Sequence, residues 1–98
     1  MFIKIHKAYR QVVAVCDSDI LGKKFEEGIK VLDIRENFYK GEEKPEAEVV
    51  ELMRDLAMED VTFNIVGQNS VSCALKAGII SKEGIKTVQG IPFALVLL

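Results

Sequence analysis

Val12-Val13-Ala14-Val15 is a run of four apolar residues, three of them β-branched, inside the segment Gln11–Asp17. Successive side chains of a β-strand point to opposite faces, so such a run needs cover on both. It follows closely on Phe2-Ile3-Lys4-Ile5-His6, where Ile3 and Ile5 share one face and Lys4 and His6 the other. The two segments read as a β-hairpin whose second strand lies deeper in a sheet. The fold must therefore supply a sheet interior within a short chain.

The 98 residues make one domain, since domains typically run to about 100–150 residues. A chain of this length buries roughly 60–65% of its unfolded surface, enough for one core without disulfides or metal. Asp17 or Ser18 can cap a short helix over Asp19–Glu27, with Leu21 and Phe25 at i, i+4 and Gly28 closing it. Ile29–Ile34 reads as a third strand, and Arg35–Lys44 as a connection or partial turn. The clearest helix is Pro45–Met58, with Pro45 at the first helical position and Glu46 and Glu48 in the first turn. Its apolar stripe is Val49, Leu52, Met53, Leu56 and Ala57.

Thr62–Val66 is a strand running into Gly67. Asn69 or Ser70 caps a helix to Ala77 with Gly78 beyond it, and Val71, Ala74 and Leu75 form its buried edge. Ile85–Val88 and Phe93–Leu98 are the last strands, around a Gln89-Gly90-Ile91-Pro92 turn. The order predicts an α+β fold spanning residues 1–98. Its sheet is mixed but mostly antiparallel, with two to three helices packed mainly on one face.

Charge narrows the partners less than its sum of −2 suggests. Residues 41–60 hold eight acidic and two basic side chains, a net −6, and the segments on either side are each +2. The basic N-terminal cluster is Lys4, His6, Lys7 and Arg10 with Tyr9 beside it, and Lys23 and Lys24 follow. Cations near an exposed ring are what contact with a phosphate backbone and a stacked base requires, and edge lysines that discourage aggregation are the alternative. Gly67, Gln68, Asn69 and Ser70 run from strand into helix, where backbone N–H groups and the helix dipole favour an anion. One glycine is far short of a P-loop, and packing with capping accounts for the segment equally. Asp17 and Asp19 flank another strand-to-helix junction, where paired carboxylates could exchange protons or simply cap.

Cys16 and Cys73 sit in apolar settings and read as reduced, buried thiols. With His6 the only histidine, no structural zinc set can be assembled. If hairpin partners sum to about 18, His6 faces Val12 and Cys16 faces Phe2. A Cys–His pair is then roughly 13 Å apart along the sheet, far outside hydrogen-bond reach. Lys4, His6, Lys7 and Arg10 interrupt any leader-like apolar run. The longest apolar stretch, Ile91–Leu98, is far short of the about 20 residues a membrane helix needs. A cytoplasmic protein is expected. Phe93–Leu98 is apolar on both faces, so it is either a central strand or a contact surface for another chain.

The residues also carry a family pattern. Lys4-Ile5-His6-Lys7 opens the hairpin, Cys16-Asp17 leads into Leu21-Gly22-Lys23-x-Phe25-x-Glu27-Gly28, and Phe38-Tyr39-x-Gly41 follows. Asn64-Ile65-Val66-Gly67, Val71-x-x-Ala74, Ala77-Gly78-Ile79-Ile80 and Gly90-Ile91-Pro92 come later. In this order, over nearly the whole chain, they resemble the domain-of-unknown-function family 424 of archaea. The resemblance implies a single small cytosolic α+β domain with no assigned activity and a loose association with genes of the translation apparatus. It also implies a polar His and Gln after Gly-Ile-Pro. Phe93 and Leu95 stand there in this chain, which weakens an enzymatic reading.

The sequence thus favours a non-enzymatic binding module without cofactor or metal. Its expected contact is RNA, the ribosome or an initiation factor, made through Lys4, His6, Lys7, Tyr9, Arg10, Lys23 and Lys24. The alternatives are a small ligand-binding domain or enzyme at Asp17, Asp19 and Gly67–Ser70, and a homo-oligomeric subunit joined through Phe93–Leu98.

Overall fold

The computed structural model describes residues 1–98. In chain order the strands are Phe2–His6 (β1), Gln11–Cys16 (β2), Lys24–Glu27 (β3), Lys30–Asp33 (β4), Glu42–Glu43 (β5), Val61–Val66 (β6), Lys86–Val88 (β7) and Ile91–Leu97 (β8). The helices are Glu36–Tyr39 (α1), Glu46–Leu56 (α2) and Gln68–Ala77 (α3). Short 3-10 turns lie at Ser18–Ile20 and Lys82–Gly84.

β1 and β2 form the expected hairpin in the expected register, with Phe2 opposite Cys16 and His6 opposite Val12. β2 then pairs in parallel with β6, and every other pairing is antiparallel, giving the order β5-β1-β2-β6-β8-β7. The fold is α+β with a mixed, mostly antiparallel sheet. Central placement explains the doubly apolar β2. Val13 and Val15 are buried under α2 and α3 with Phe63 and Ile65 of β6, Val49 and Met53 of α2, and Val71 and Ala74 of α3. Ala14 and Cys16 are buried on the other face, with Ile20, Leu32, Ile34, Tyr39, Val66 and Val88.

Helix α2 follows its apolar stripe, with Val49, Val50, Met53 and Leu56 inward. Pro45 stands one place earlier than expected, as the extended residue before the first helical turn. Helix α3 buries Ser70, Val71, Cys73 and Ala74, whereas Leu75, expected inside, turns towards solvent. Two departures are larger. The helix expected over Asp19–Glu27 is a 3-10 turn followed by a strand, because Phe25 pairs with Leu32 in the separate β3–β4 hairpin, whose Phe25 and Leu32 pack onto the second cluster. The two candidate caps are engaged elsewhere: Ser18 Oγ donates to Glu43 Oε2 at 2.6 Å, and the Asp17 carboxylate accepts from α3. The connection expected at Arg35–Lys44 contains both α1 and the two-residue β5. At the last turn Ile91 and Pro92 already belong to β8, leaving Gln89-Gly90 as a two-residue hairpin turn with φ of 49° and 76°.

Gly41 lets β5 approach β1. A Cβ at this position would lie 2.2 Å from the Ile3 carbonyl oxygen, and backbone on the other side cannot yield. Gly41→Ala is expected to detach β5 and cost about 1–3 kcal/mol, the range for overpacking. Gly84→Ala, with nothing within 4 Å of the added carbon, is the matched control. Thermal melts of the two variants check this: equal melting temperatures would be the contrary outcome.

Candidate functional site

Directly paired residues of neighbouring strands point to the same side, so the ladder registers arrange one face of the sheet in rows. Phe2, Cys16, Val66, Phe93 and Lys86 form one row. Lys4, Ala14, Asn64 and Leu95 form the next, and His6, Val12, Thr62 and Leu97 the third. The β3–β4 hairpin and α1 cover the first row and the β1 side of the second and third. Beyond them the sheet is open. Val12, Thr62 and Asn64 are partly exposed, and Leu95 and Leu97 are 60% and 69% exposed on a strand that is otherwise central in composition. Thr62 and Asn64 are not among the candidate residues that the sequence pattern singles out. Their signal was period-two polarity inside the buried strand Val61–Val66, which marks one face as partly solvated.

The basic cluster divides at this border. Lys4 Nζ donates to the Asn37 carbonyl at 2.8 Å, and His6 Nε2 lies 2.8 Å from the Phe38 carbonyl. The His6 ring also stacks on Phe38, with centroids 4.6 Å apart and planes 20° off parallel. Both residues therefore dock α1 onto β1. Arg10 clasps the start of β6 to the end of β8: Nε donates to Thr62 Oγ1 at 3.1 Å, and the guanidinium also donates to the carbonyls of Val61 and Leu98. Lys7 and Tyr9 are exposed at the hairpin tip. Lys23 and Lys24 lie past the far end of β2 at the base of the β3–β4 hairpin, where Lys24 pairs with Glu26 at 3.6 Å. The seven residues do not form one patch. The tip keeps one lysine and one tyrosine facing solvent.

The junction of Asp17 with α3 is brought together, and it is already filled. Asp17, Asp19, Gly67, Gln68 and Asn69 share a shallow cavity of about 210 Å³. The buried Asp17 carboxylate accepts from Asn69 N–H at 3.0 Å, Ser70 N–H at 2.8 Å and Ser70 Oγ at 2.7 Å. A side-chain anion thus occupies the seat that a helix N-terminus offers to a ligand. Gly67 makes the approach possible, with φ of 107° and a hypothetical Cβ only 2.4 Å from Asp17 Cγ. Asp17 ties the end of β2 to the start of α3, and Asp19 beside it is exposed.

The thiols are buried and apart. Burial, and then the neighbouring Asp17 charge, push the Cys16 thiol from 9.0 up to about 12. Burial followed by Cys16 does the same to the Tyr39 hydroxyl, also to about 12. Cys73 is raised by burial and by Glu46, and its sulfur lies 3.7 Å from Met1 Sδ. His6 is out of reach of Cys16, since it is engaged with Phe38 four positions along the hairpin from Phe2, the partner of Cys16. No cluster of three or more His, Cys, Asp or Glu side chains converges anywhere, and no helix is long and apolar enough to cross a membrane.

Residues 6–98 match the family described as "Protein of unknown function (DUF424)". Among solved structures, the crystal structure of an uncharacterized conserved protein from the archaeon Methanopyrus kandleri is similar at a TM-score of 0.87 and 24% identity. The likeness covers 98% of this chain and 89% of that one, and at this identity it bears on the fold. No curated protein matches the chain.

Two outcomes follow from the buried groups. Asp17→Ala strands two backbone donors and a hydroxyl, and should cost about 2–4 kcal/mol in denaturant titrations; a loss within about 0.5 kcal/mol, the range of ordinary surface substitutions, would contradict the clamp. With folded values raised, Cys16 and Tyr39 contribute stability that is complete below their unfolded values and lost as pH rises. Stability should fall as pH climbs from 9.0 towards about 12, and less steeply in Cys16→Ala. Chemical unfolding across that range measures it, and identical slopes for the two proteins would count against the assignment.

Proposed function

The chain belongs to the DUF424 family, and from that premise we propose that it is a non-catalytic module that binds a protein partner through the open end of its sheet. The observation carrying this reading is the uncovered face of Val12, Thr62, Asn64, Leu95 and Leu97, apolar with polar groups interspersed. Contiguous apolar exposure rimmed by polar groups marks interaction surfaces. The best-formed polar constellation, Asp17 with Ser70, has its hydrogen bonds satisfied within the fold.

A second reading rests on the hairpin tip, where Lys7 and fully exposed Tyr9 stand free beside this face. A cation and an unhindered ring suit RNA, and an RNA, ribosomal or initiation-factor surface would place the module at the translation machinery. One tip lysine supplies a small phosphate footprint, so a shallow salt dependence is expected.

One experiment separates the two. The purified chain is immobilised and exposed to native lysate with and without ribonuclease, alongside Val12→Glu/Asn64→Glu and Lys7→Ala/Tyr9→Ala variants. The protein reading expects ribonuclease-resistant capture of a defined partner, weakened at least about tenfold by the face variant, a change of about 1.4 kcal/mol. Capture lost to ribonuclease and to the tip variant would replace it with the RNA reading. Capture indifferent to both variants would sink both.

A further inference from the structure

We propose that the outer edge of β8 is a self-pairing surface, through which two copies of this chain join their sheets antiparallel across Leu95 and Leu97. β7 covers only the start of that edge, pairing with Ile91–Phe93. Beyond it the ladder geometry identifies which backbone groups are open. Gly67 N–H donates to the Pro92 carbonyl and Leu98 N–H to the Val61 carbonyl. Positions 92, 94, 96 and 98 therefore turn their backbone groups towards β6, and 93, 95 and 97 turn theirs outward. Phe93 meets Lys86 of β7, whereas Leu95 and Leu97 face no strand. Two donors and two acceptors stand open on the part of seven-residue β8 that β7 leaves uncovered.

The usual protections of an edge are missing here. Phe93–Leu98 carries no charged side chain, and the one proline of β8, Pro92, is paired with Thr87 of β7. The other sheet edge is partly guarded, because two-residue β5 with Glu42 and Glu43 pairs with Phe2 and Ile3 of β1. A strand that fits β8 must be uncharged and present paired donors and acceptors at positions two apart. β8 is itself such a strand. About a two-fold axis at Val96, Leu95 of one copy stands opposite Leu97 of the other, and each such pair exchanges two hydrogen bonds. The four bonds use every open backbone group of both edges. No like charges meet across the seam, despite the chain's net −2.

The incoming strand lies along 94–98 and β7 along 91–93, so the two occupy successive stretches of one edge. Leu95 and Leu97 of both copies then sit side by side on the open face, with Leu98, 39% exposed, at the seam's end. Such a seam falls below the ~800 Å² per partner of a standard interface, so the dimer is weak, with dissociation roughly in the micromolar-to-millimolar range. Pairing merges two open faces into one continuous surface. It does not depend on which partner that face holds.

The test is sedimentation velocity with amide hydrogen exchange on the intact chain, from about 20 μM to about 1 mM, a span over which mass action shifts a weak dimer. The sedimentation coefficient should rise with concentration, and the Leu95 and Leu97 amides should gain about twofold protection or more at the upper end, where a dimer of millimolar Kd is half formed. The Ala94 and Val96 amides, already in the β6 ladder, should not change. Leu97→Pro removes an outward N–H that has no partner within the chain, so it should fold and remain monomeric. Leu95→Glu/Leu97→Glu sets carboxylates opposite one another and should also be monomeric; it decides the matter alone if the proline variant misfolds. A monomer at 1 mM, association that persists in the folded variants, or unchanged protection at 95 and 97 would overturn the proposal. Val12→Glu/Asn64→Glu leaves the edge intact and should dimerise normally, so this test and the capture experiment can fail separately.

Discussion

The structure depends on β2 being buried on both faces and fixed at its end. Val13, Ala14, Val15 and Cys16 are all fully inaccessible, so the sheet that contains them needs a layer on each side. α2 and α3 supply one layer, and the β3–β4 hairpin with α1 supplies the other. The parallel pairing of β2 with β6 sets α3 immediately after β6, where its first turn meets the residue that follows β2. That residue is Asp17. Its carboxylate holds two α3 amides and a hydroxyl, so one buried anion joins two strands and a helix. The helix dipole and three charge-assisted contacts compensate its desolvation.

The second layer is too small to cover its face. A four-residue hairpin arm on each side and a single helical turn cover the rows nearest Asp17 and, along β1 alone, reach as far as His6. What remains is a partly solvated sheet end with leucines on it, and this is a consequence of chain length as much as of choice. The same shortage explains the basic residues. Lys4 and His6 hold down the short α1, and Arg10 closes the gap where the hairpin tip meets the end of β8. These cations serve the fold first. Only the tip residues Lys7 and Tyr9 stand clear of such duties.

Local patterning carried the reading well where one partner was near in sequence. The β1–β2 register followed from alternation and a short turn, and the α2 stripe from its 3.6-residue period. Reading failed where a distant partner changed the outcome. Leu21 and Phe25 have helical spacing, yet Phe25 pairs with Leu32 and both pack on the sheet. Asp17 has the composition of a local cap and caps a helix fifty residues away. Leu75 lies on the expected apolar side of α3, but the helix is rotated so that Ser70 and Cys73 face inward, Ser70 being drawn there by Asp17.

The sequence by itself determined that this is one α+β domain with a buried strand near its start, because apolar periodicity is a local property that any fold must satisfy. It also pointed to the family, through a pattern running from Lys4 to Pro92, and residues 6–98 match that family. Tertiary structure alone decided which polar groups are engaged and which surface is left open. Those outcomes depend on what lies across the sheet or behind a helix, and spacing along a chain does not encode them until strand order is known. The cations that the sequence groups together are divided between α1, the seam where β6 begins and β8 ends, and a separate hairpin. An apparent anion seat was filled from within, and the terminal apolar strand proved to be neither wholly central nor wholly exposed.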